Sequence, residues 1–432
     1  MNLRQKIDNS PMSGYQWAIV IMAAVMNFLD GFDVLAIAFT ATNISKEFAL
    51  SKTEFGVLVS VGLAGMTMGS LFLAPLADKF GRRPILLLSL ALSGIGLLIS
   101  GFSTGPQILG VSRFITGLGV GGILVGTNVI TSEYSSKKWR SFAISVYAAG
   151  FGIGAMFGGM IAKELQTAYS WHAVYFAGAA MTAVIFAILL VWLPESIDFL
   201  TTKQPVNAKQ RLNQIAQKLG FSGEWELGEK RQVSTNKLPI SHLFSQQYLR
   251  PTLLLWTAFF AIMFSFYFIA SWTPALLKEA GMTVEQSIQV GMMISLGGAG
   301  GSLLYGLLAT RWSARAVLIF FTVISAIAIV AFILSIDSLA VAMLMGVVVG
   351  ALVNGCISGL YTINPATYDS EIRSTGVGWA IGAGRAGSIL APTIAGMLLD
   401  GGLSKQELYI AVAAVMLLAT VALIFKKNSI KG

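Results

Sequence analysis

The chain has 432 residues, 55% hydrophobic and only 11% charged, with a mean hydropathy of +0.73. An average soluble chain is about 25% charged, so a soluble globular domain is excluded and a polytopic membrane protein is indicated. The net charge of +9 is spread between apolar runs with no aromatic-basic face, so no nucleic-acid partner is expected. The single cysteine, Cys356, excludes an intramolecular disulfide.

Apolar runs long enough to cross a bilayer, about 20 residues or 30 Å as helix, follow one another along the chain. The first, 17–41, comes after a short basic stretch (Arg4, Lys6). It is too long for a signal-peptide core and is read as a retained helix. It contains AVMNFLDGFDVLAIAFTA (24–41), with Asp30 and Asp33 inside it. The second and third, 54–77 and 84–102, are joined through PLADKFGRRP (75–84). The fourth, 107–131, holds Arg113 in RFITGLGVGG (113–122). The fifth, 139–162, carries GFGIGAMFGG (150–159), and the sixth is 171–193. A polar stretch, 194–250, then intervenes and is read as a cytoplasmic linker with some amphipathic helix; it includes the charged run GEWELGEKR (223–231). The remaining spans are 251–275, 284–310 with GGAGG (297–301), 315–335, 338–362, 374–399 with Arg385, and 405–425. The expected fold is therefore an all-α membrane protein with twelve transmembrane helices. Two six-helix bundles, 1–193 and 251–432, are joined by the linker 194–250.

Loop charge sets the orientation. With the N-terminus inside, the outside segments hold only Lys46, Lys52, Lys163, Lys278 and Lys405. Arg113 and Arg385 lie within spans, and every other Lys and Arg falls inside. The positive-inside rule then places both termini and the linker in the cytoplasm. An internal repeat agrees with two pseudo-symmetric halves. GLLATRWSAR (306–315) occupies the place in the second half that PLADKFGRRP occupies in the first, with Thr310 where Asp78 stands. Parallel repeats of this kind are an arrangement of transporters.

LADKFGRRP resembles the cytoplasmic loop signature of the major facilitator superfamily, and RFITGLGVGG resembles its fourth-helix signature. The one departure is Ala74, where the loop signature begins with Gly. Asp78 at a helix C-terminus is an anion in an unfavourable place without a partner, and Arg82, Arg83 and Glu133 would supply a charge cluster. The resemblance implies that Asp78, Gly81, Arg82, Arg83 and Glu133 form a latch holding one state of an alternating-access cycle. The plainer alternative is that the two arginines are ordinary positive-inside charges.

Four ionisable groups lie deep in the spans: Asp30, Asp33, Arg113 and Arg385. At about 1.5 Å per residue they fall in one broad layer near mid-membrane, where a charge costs about 2.5–3.5 kcal/mol. A static Asp–Arg pair is one reading, but a purely structural role does not need two acids. Asp30 and Asp33 share a helix face, and two carboxylates in low dielectric do not both ionise cheaply, so they are candidates to take up and release a proton. The guanidinium of Arg113 or Arg385 cannot deprotonate and binds carboxylates bidentately. One arginine in each half would let an anion bridge the halves, and Arg113 is alternatively the static partner of Asp33. The glycine-rich stretches allow close helix approach.

Two further stretches narrow the resemblance. DGFD (30–33) resembles the first-helix signature of the aromatic acid:proton symporters, and STGVGWAIGAGRAGSILAP (374–392) their eleventh helix. WLPES (192–196) and SWTPALLKEAG (271–281) also match. The resemblance implies proton-coupled import of a carboxylic acid such as a hydroxybenzoate, benzoate, protocatechuate or a muconate-like ring-fission acid. Aromatic side chains in cavity helices would stack on the ring: Phe39, Phe264, Tyr267, Trp272, Tyr361 and Trp379, with Asn354 as a polar contact. No nucleotide-binding motif and no metal-ligand cluster is present, so no cofactor is expected. The partners are the carboxylate, protons and the lipid bilayer, and the protein is expected to act as a monomer in the inner (plasma) membrane. The rival readings are another substrate on the same fold (an aliphatic or ring-fission dicarboxylate, a sugar acid, a drug for efflux) and a membrane enzyme or receptor, for which no catalytic constellation or signalling domain is seen.

Overall fold

The computed structural model describes residues 3–227, 240–368 and 372–426, except for the side chains of Ala74, Ser141, Ile240, Arg373 and Ser374. The end of the charged run GEWELGEKR lies outside the described residues. Among the described residues, fifteen α-helices and two 3-10 turns account for the regular structure, and no strand occurs. In chain order the helices are α1 (Leu3–Asn9), α2 (Gly14–Glu47), α3 (Lys52–Phe80), α4 (Arg82–Gly101) and α5 (Pro106–Tyr134). They continue with α6 (Arg140–Ala168), α7 (Trp171–Trp192), α8 (Ile197–Lys203), α9 (Ala208–Lys218) and α10 (Leu249–Glu279). The last are α11 (Val284–Arg311), α12 (Ala314–Leu334), α13 (Leu339–Ile363), α14 (Arg373–Asp400) and α15 (Lys405–Phe425).

The twelve expected spans coincide with α2–α7 and α10–α15. Among the described residues, eleven helices are long and apolar enough to cross a membrane. The twelfth, α14, is interrupted by glycines and by Arg385, which lower its hydropathy. Helix ends follow local chemistry. Thr283 with Gln286, and Ser404 with Glu407, form reciprocal capping boxes at the starts of α11 and α15, satisfying N–H groups that have no partner within the helix. Ser196 and Ser313 cap α8 and α12.

Contacts divide the chain into two compact units. The first contains Met1–Val34, Ala64–Gly158 and His172–Ser234. Within it α4 packs on α5, and α6 approaches α2 so closely that a Cβ at Gly154 would overlap the Phe28 carbonyl. Its core runs through Met26, Leu29, Leu90, Ile123 and Ile130 and continues into Leu3, Ile7, Leu200, Leu212 and Ile215. The short helices α1, α8 and α9 therefore bury one apolar face each against the ends of the long ones. Arg4 adds a polar fastening by donating to the carbonyls of Ser132 and Glu133 at the end of α5, and Asp8 pairs with Arg140.

The second unit contains Leu35–Leu63, Gly159–Trp171 and Thr235–Gly432. Within it α10 packs on α14, α11 on α13 and α12 on α15. The α11–α13 crossing depends on GGAGG: a Cβ at Gly301 would overlap the Ala351 carbonyl, the close backbone approach expected of small residues.

Candidate functional site

Two of the four deep charges meet within the first unit. Arg113 on α5 donates through Nη1 to Asp33 Oδ1 at 2.6 Å and through Nη2 to Asp33 Oδ2 and to the Asp33 carbonyl, both at 3.2 Å. Both residues are buried, at 4% and 2% exposure, and the guanidinium carbon lies 5.8 Å from the centre of the Tyr175 ring. This is a bidentate, desolvated ion pair with an aromatic wall. Removing one member of such a pair strands the other charge and typically costs about 3–5 kcal/mol. Asp30 is buried one turn away on α2, so two carboxyls and one guanidinium share this part of the unit. Tyr175 escaped the sequence reading because an aromatic in an apolar run gives no signal of the cation it will face.

The turn from α3 to α4 gathers a second cluster. Arg82 reaches Glu133 Oε1 at 3.3 Å through Nε and Asp78 Oδ1 at 3.3 Å through Nη2. Asp78 is largely exposed, whereas Glu133 is buried, so the Arg82–Glu133 contact is the consequential one. Glu133 also accepts the Ser196 hydroxyl at 2.7 Å. Glu195, which the sequence reading did not single out, accepts the backbone N–H groups of Arg82, Arg83 and Ser196 at 2.8, 3.1 and 2.8 Å. Tyr134 donates to the Glu195 carbonyl at 2.6 Å. The sequence signal for Glu195 was an acid immediately after the sixth span. Gly81 has φ +107°, and a Cβ there would stand 2.6 Å from Glu195 Oε2, so only glycine fits the conformation and the space. Arg83 turns away from the carboxylates and donates to the Leu190 carbonyl at 2.6 Å.

The remaining candidates belong to the second unit. Trp272 is buried, donates to the Pro392 carbonyl at 3.0 Å and meets Phe55 edge-on at 5.4 Å. Phe39 is buried against Gly291, and Tyr267 is buried on α10. Asn354 donates to the Gly350 carbonyl at 3.1 Å and lies over Gly298. Tyr361 and Trp379 are each 45% exposed. Tyr361 meets Phe259 edge-on, and Trp379 stacks on Trp256 at 5.9 Å and 24°; Trp256 was not foreseen. Phe264 stacks on Phe260 at 6.0 Å. Arg385 is half-buried on α14.

The same unit holds a clamp at the helix ends that loop charge assigns to the outside. The Asp400 carboxylate accepts the N–H groups of Lys52 and Thr53 at 3.1 and 2.7 Å, at the start of α3. Lys52 reaches Glu279 at 2.9 Å and Lys163 reaches Glu285 at 2.6 Å. Asp400 lies just past the apolar run 374–399. Hydrogen bonds from Thr53, side chain first and then backbone, hold its carboxyl below the usual aspartate range.

The chain matches the Major Facilitator Superfamily over residues 22–304 and 290–431. It is 30% identical to the 4-hydroxybenzoate transporter PcaK of Pseudomonas putida, over 99% of this chain and 96% of that protein. It is 32% identical to a gallate transporter of the same species (95% and 91%) and 28% identical to a benzoate transport protein of Acinetobacter baylyi (98% and 92%). Among solved structures, the xylose transporter XylE of E. coli in a partially occluded inward-open conformation superposes with a TM-score of 0.74 at 15% identity. That match covers 97% of this chain and 99% of XylE.

Proposed function

From the premise that this chain belongs to the Major Facilitator Superfamily and is a multi-pass membrane transporter rather than an enzyme, we propose that it imports an aromatic carboxylic acid together with protons. The two six-helix halves, 1–193 and 251–432, would alternate access across the inner membrane, with both termini and the linker cytoplasmic. The substrate class rests on the relatives, which are named for 4-hydroxybenzoate, gallate and benzoate. The coupling rests on one observation, the buried Arg113–Asp33 pair beside Asp30.

In this reading the Asp33 carboxylate and the substrate carboxylate compete for one guanidinium. A proton arriving at the aspartates neutralises Asp33, loosens its bidentate hold and frees Arg113 for the substrate anion. Loss of the proton re-forms the internal pair and expels the anion. Arg385 is assigned a second contact to the carboxylate, and the exposed rings of Tyr361 and Trp379 contacts to the aromatic face. Asn354, Tyr267, Phe39 and Trp272 complete the proposed substrate set, and Asp78, Gly81, Arg82, Arg83 and Glu133 the proposed latch.

Uptake of 4-hydroxybenzoate, gallate and benzoate into proteoliposomes tests this. Accumulation should follow an imposed inward proton gradient and collapse with a protonophore. Asp33→Asn should abolish accumulation while sparing part of the exchange, because the amide does not titrate. Arg385→Ala should weaken binding by roughly 10- to 150-fold, the worth of a charge-assisted hydrogen bond of about 1.5–3 kcal/mol. Undiminished uptake without any ion gradient, or a double Asp30→Asn, Asp33→Asn variant that accumulates like the wild type, would refute the coupling.

The outer clamp answers to pH differently. Since the Asp400 carboxyl is held low, its contribution is complete above the unfolded aspartate value of about 3.9 and is lost only as pH falls through the still lower folded value. External acidification from pH 7 to 5 therefore leaves the clamp closed, and the pH profile of uptake in that window should keep its shape in Asp400→Asn.

A further inference from the structure

Beyond the transport cycle, the first unit carries a cavity of about 490 Å³ where the end of α3, the start of α4 and the end of α7 meet the side of α9. One wall is apolar and open. Val191 and Trp192 on the last turn of α7 are 76% and 61% exposed, and Phe80 at the end of α3 is 57% exposed; Leu87 continues this wall. The other wall is basic and is formed by Arg83, Arg211 and Lys218. Arg211 and Lys218 lie two turns apart on one side of α9, and the adjoining side buries Leu212, Ile215 and Ala216 in the core. The cations are thus held on a docked helix and not on a free tail. The Lys218 amine stands 5.9 Å from the centre of the Tyr15 ring. Arg83 spends one guanidinium nitrogen on the Leu190 carbonyl, while its buried Nε has no acceptor, and a buried donor left unmet is costly. Glu195 also lines the cavity, but three backbone N–H groups compensate its carboxylate.

We infer that this cavity binds the headgroup of an anionic phospholipid, with the phosphodiester at Arg83, Arg211 and Lys218 and the glycerol and upper acyl region along Phe80, Leu87, Val191 and Trp192. A soluble phosphate shares the headgroup chemistry and would use only the basic wall. The continuous apolar wall, with an exposed Trp at the end of a membrane span, is what the lipid adds. Bound there, the lipid ties α9 to the membrane surface beside the α3–α4 turn.

Native mass spectrometry of the purified full chain in detergent micelles doped with phosphatidylglycerol or phosphatidylcholine tests the site. The wild type should retain phosphatidylglycerol and not phosphatidylcholine. Each basic residue near an anionic lipid is worth about five-fold, so R211Q/K218Q should weaken phosphatidylglycerol binding roughly 30-fold. Both side chains are exposed, and the substitutions leave the buried face of α9 intact. Trp192→Ser should weaken the lipid as well, a loss that a soluble-anion site would not show. Inorganic phosphate and glycerol 3-phosphate at matched concentration should leave the lipid in place. Equal phosphatidylglycerol retention by R211Q/K218Q and the wild type overturns the site. Displacement of the lipid by phosphate alone, with Trp192→Ser unaffected, overturns the lipid as its occupant.

Discussion

The turn joining α3 to α4 and the turn joining α11 to α12 occupy equivalent places in the repeat, yet different chemistry holds them. One element is shared. Arg315 stands to Arg83 as Thr310 stands to Asp78, and both arginines cap the end of the last long helix of their half. Arg83 donates to the Leu190 carbonyl of α7, and Arg315 donates to the Leu423 and Ile424 carbonyls of α15 at 2.8 and 2.6 Å. Terminal carbonyls have no partner within a helix, so every such end needs a donor, and both halves supply one. The acids are not shared. Asp78 and Arg82 give way to Thr310 and Ala314, the Thr310 hydroxyl turns back to Leu307, and Gly81 at φ +107° gives way to Ser313 at φ −62°. Among the described residues the Asp78–Arg82–Glu133 cluster belongs to the first turn alone, which is the asymmetry that the proposed latch calls for.

The largest effect that separates the two turns should come from Arg82→Ala. It strands the buried Glu133 carboxylate, at a cost of about 3–5 kcal/mol, read as the loss of unfolding free energy of the purified protein in denaturant. The second half already carries alanine at the equivalent position, Ala314. A loss under about 1 kcal/mol, the range of an exposed pair, would mean that Glu133 is compensated by Ser196 alone, and the two turns would differ less than their charges imply.

Arginine truncation at the shared cap comes next. Arg315→Ala removes two charge-assisted bonds and Arg83→Ala removes one, each bond worth about 1.5–3 kcal/mol before solvent screening. Both variants should lose stability, with Arg315→Ala the more damaged. If Arg83→Ala were the worse of the two, or slowed transport without lowering stability, Arg83 would belong with the acid cluster and the cap would not be the common element.

The twelve spans and the burial of Asp30, Asp33 and Arg113 are legible in the sequence, because run length and the cost of burying charge are local properties. The same grounds put Arg113 and Asp33 at similar depth, and their pairing is one of the alternatives that the sequence leaves open. The caps were not legible. Arg83 was grouped with Asp78 and Glu133, yet its partner is a backbone carbonyl, and a carbonyl leaves no mark in a sequence. Glu195 was passed over for the same reason, since it works by accepting backbone N–H groups. Trp272 was read for its ring, whereas its indole nitrogen is tied to the Pro392 carbonyl; side-chain type reveals a capacity and not which end of it the fold will use.

Backbone conformation gives a smaller contrast. Gly81→Ala forces a side chain into a region of φ open essentially to glycine, at a cost of about 1–3 kcal/mol, and presses on Glu195. Ser313→Gly, at the equivalent place, loses only the cap to the Ala316 N–H, worth a few tenths of a kcal/mol (about 0.3). Unfolding midpoints of the two variants should differ in that order. Equal losses would mean that the two turns have the same conformational demand despite their opposite φ.

The smallest expected effect decides what the latch consists of. T310D/A314R places in the second turn an acid and an arginine at the i,i+4 spacing that Asp78 and Arg82 have in the first. The new pair would be exposed, because Thr310 is exposed, and the aspartate would sit at the unfavourable C-terminal end of α11. An exposed i,i+4 pair is worth about 0.3–0.5 kcal/mol, so stability should move by no more than about 0.5 kcal/mol and transport should keep its rate. The first turn has what this substitution does not supply: a buried glutamate on a third helix, held by a serine from the linker. If the double variant nonetheless slows transport several-fold, an Asp–Arg pair alone suffices to hold a state, and the buried Glu133 is not what sets the first turn apart.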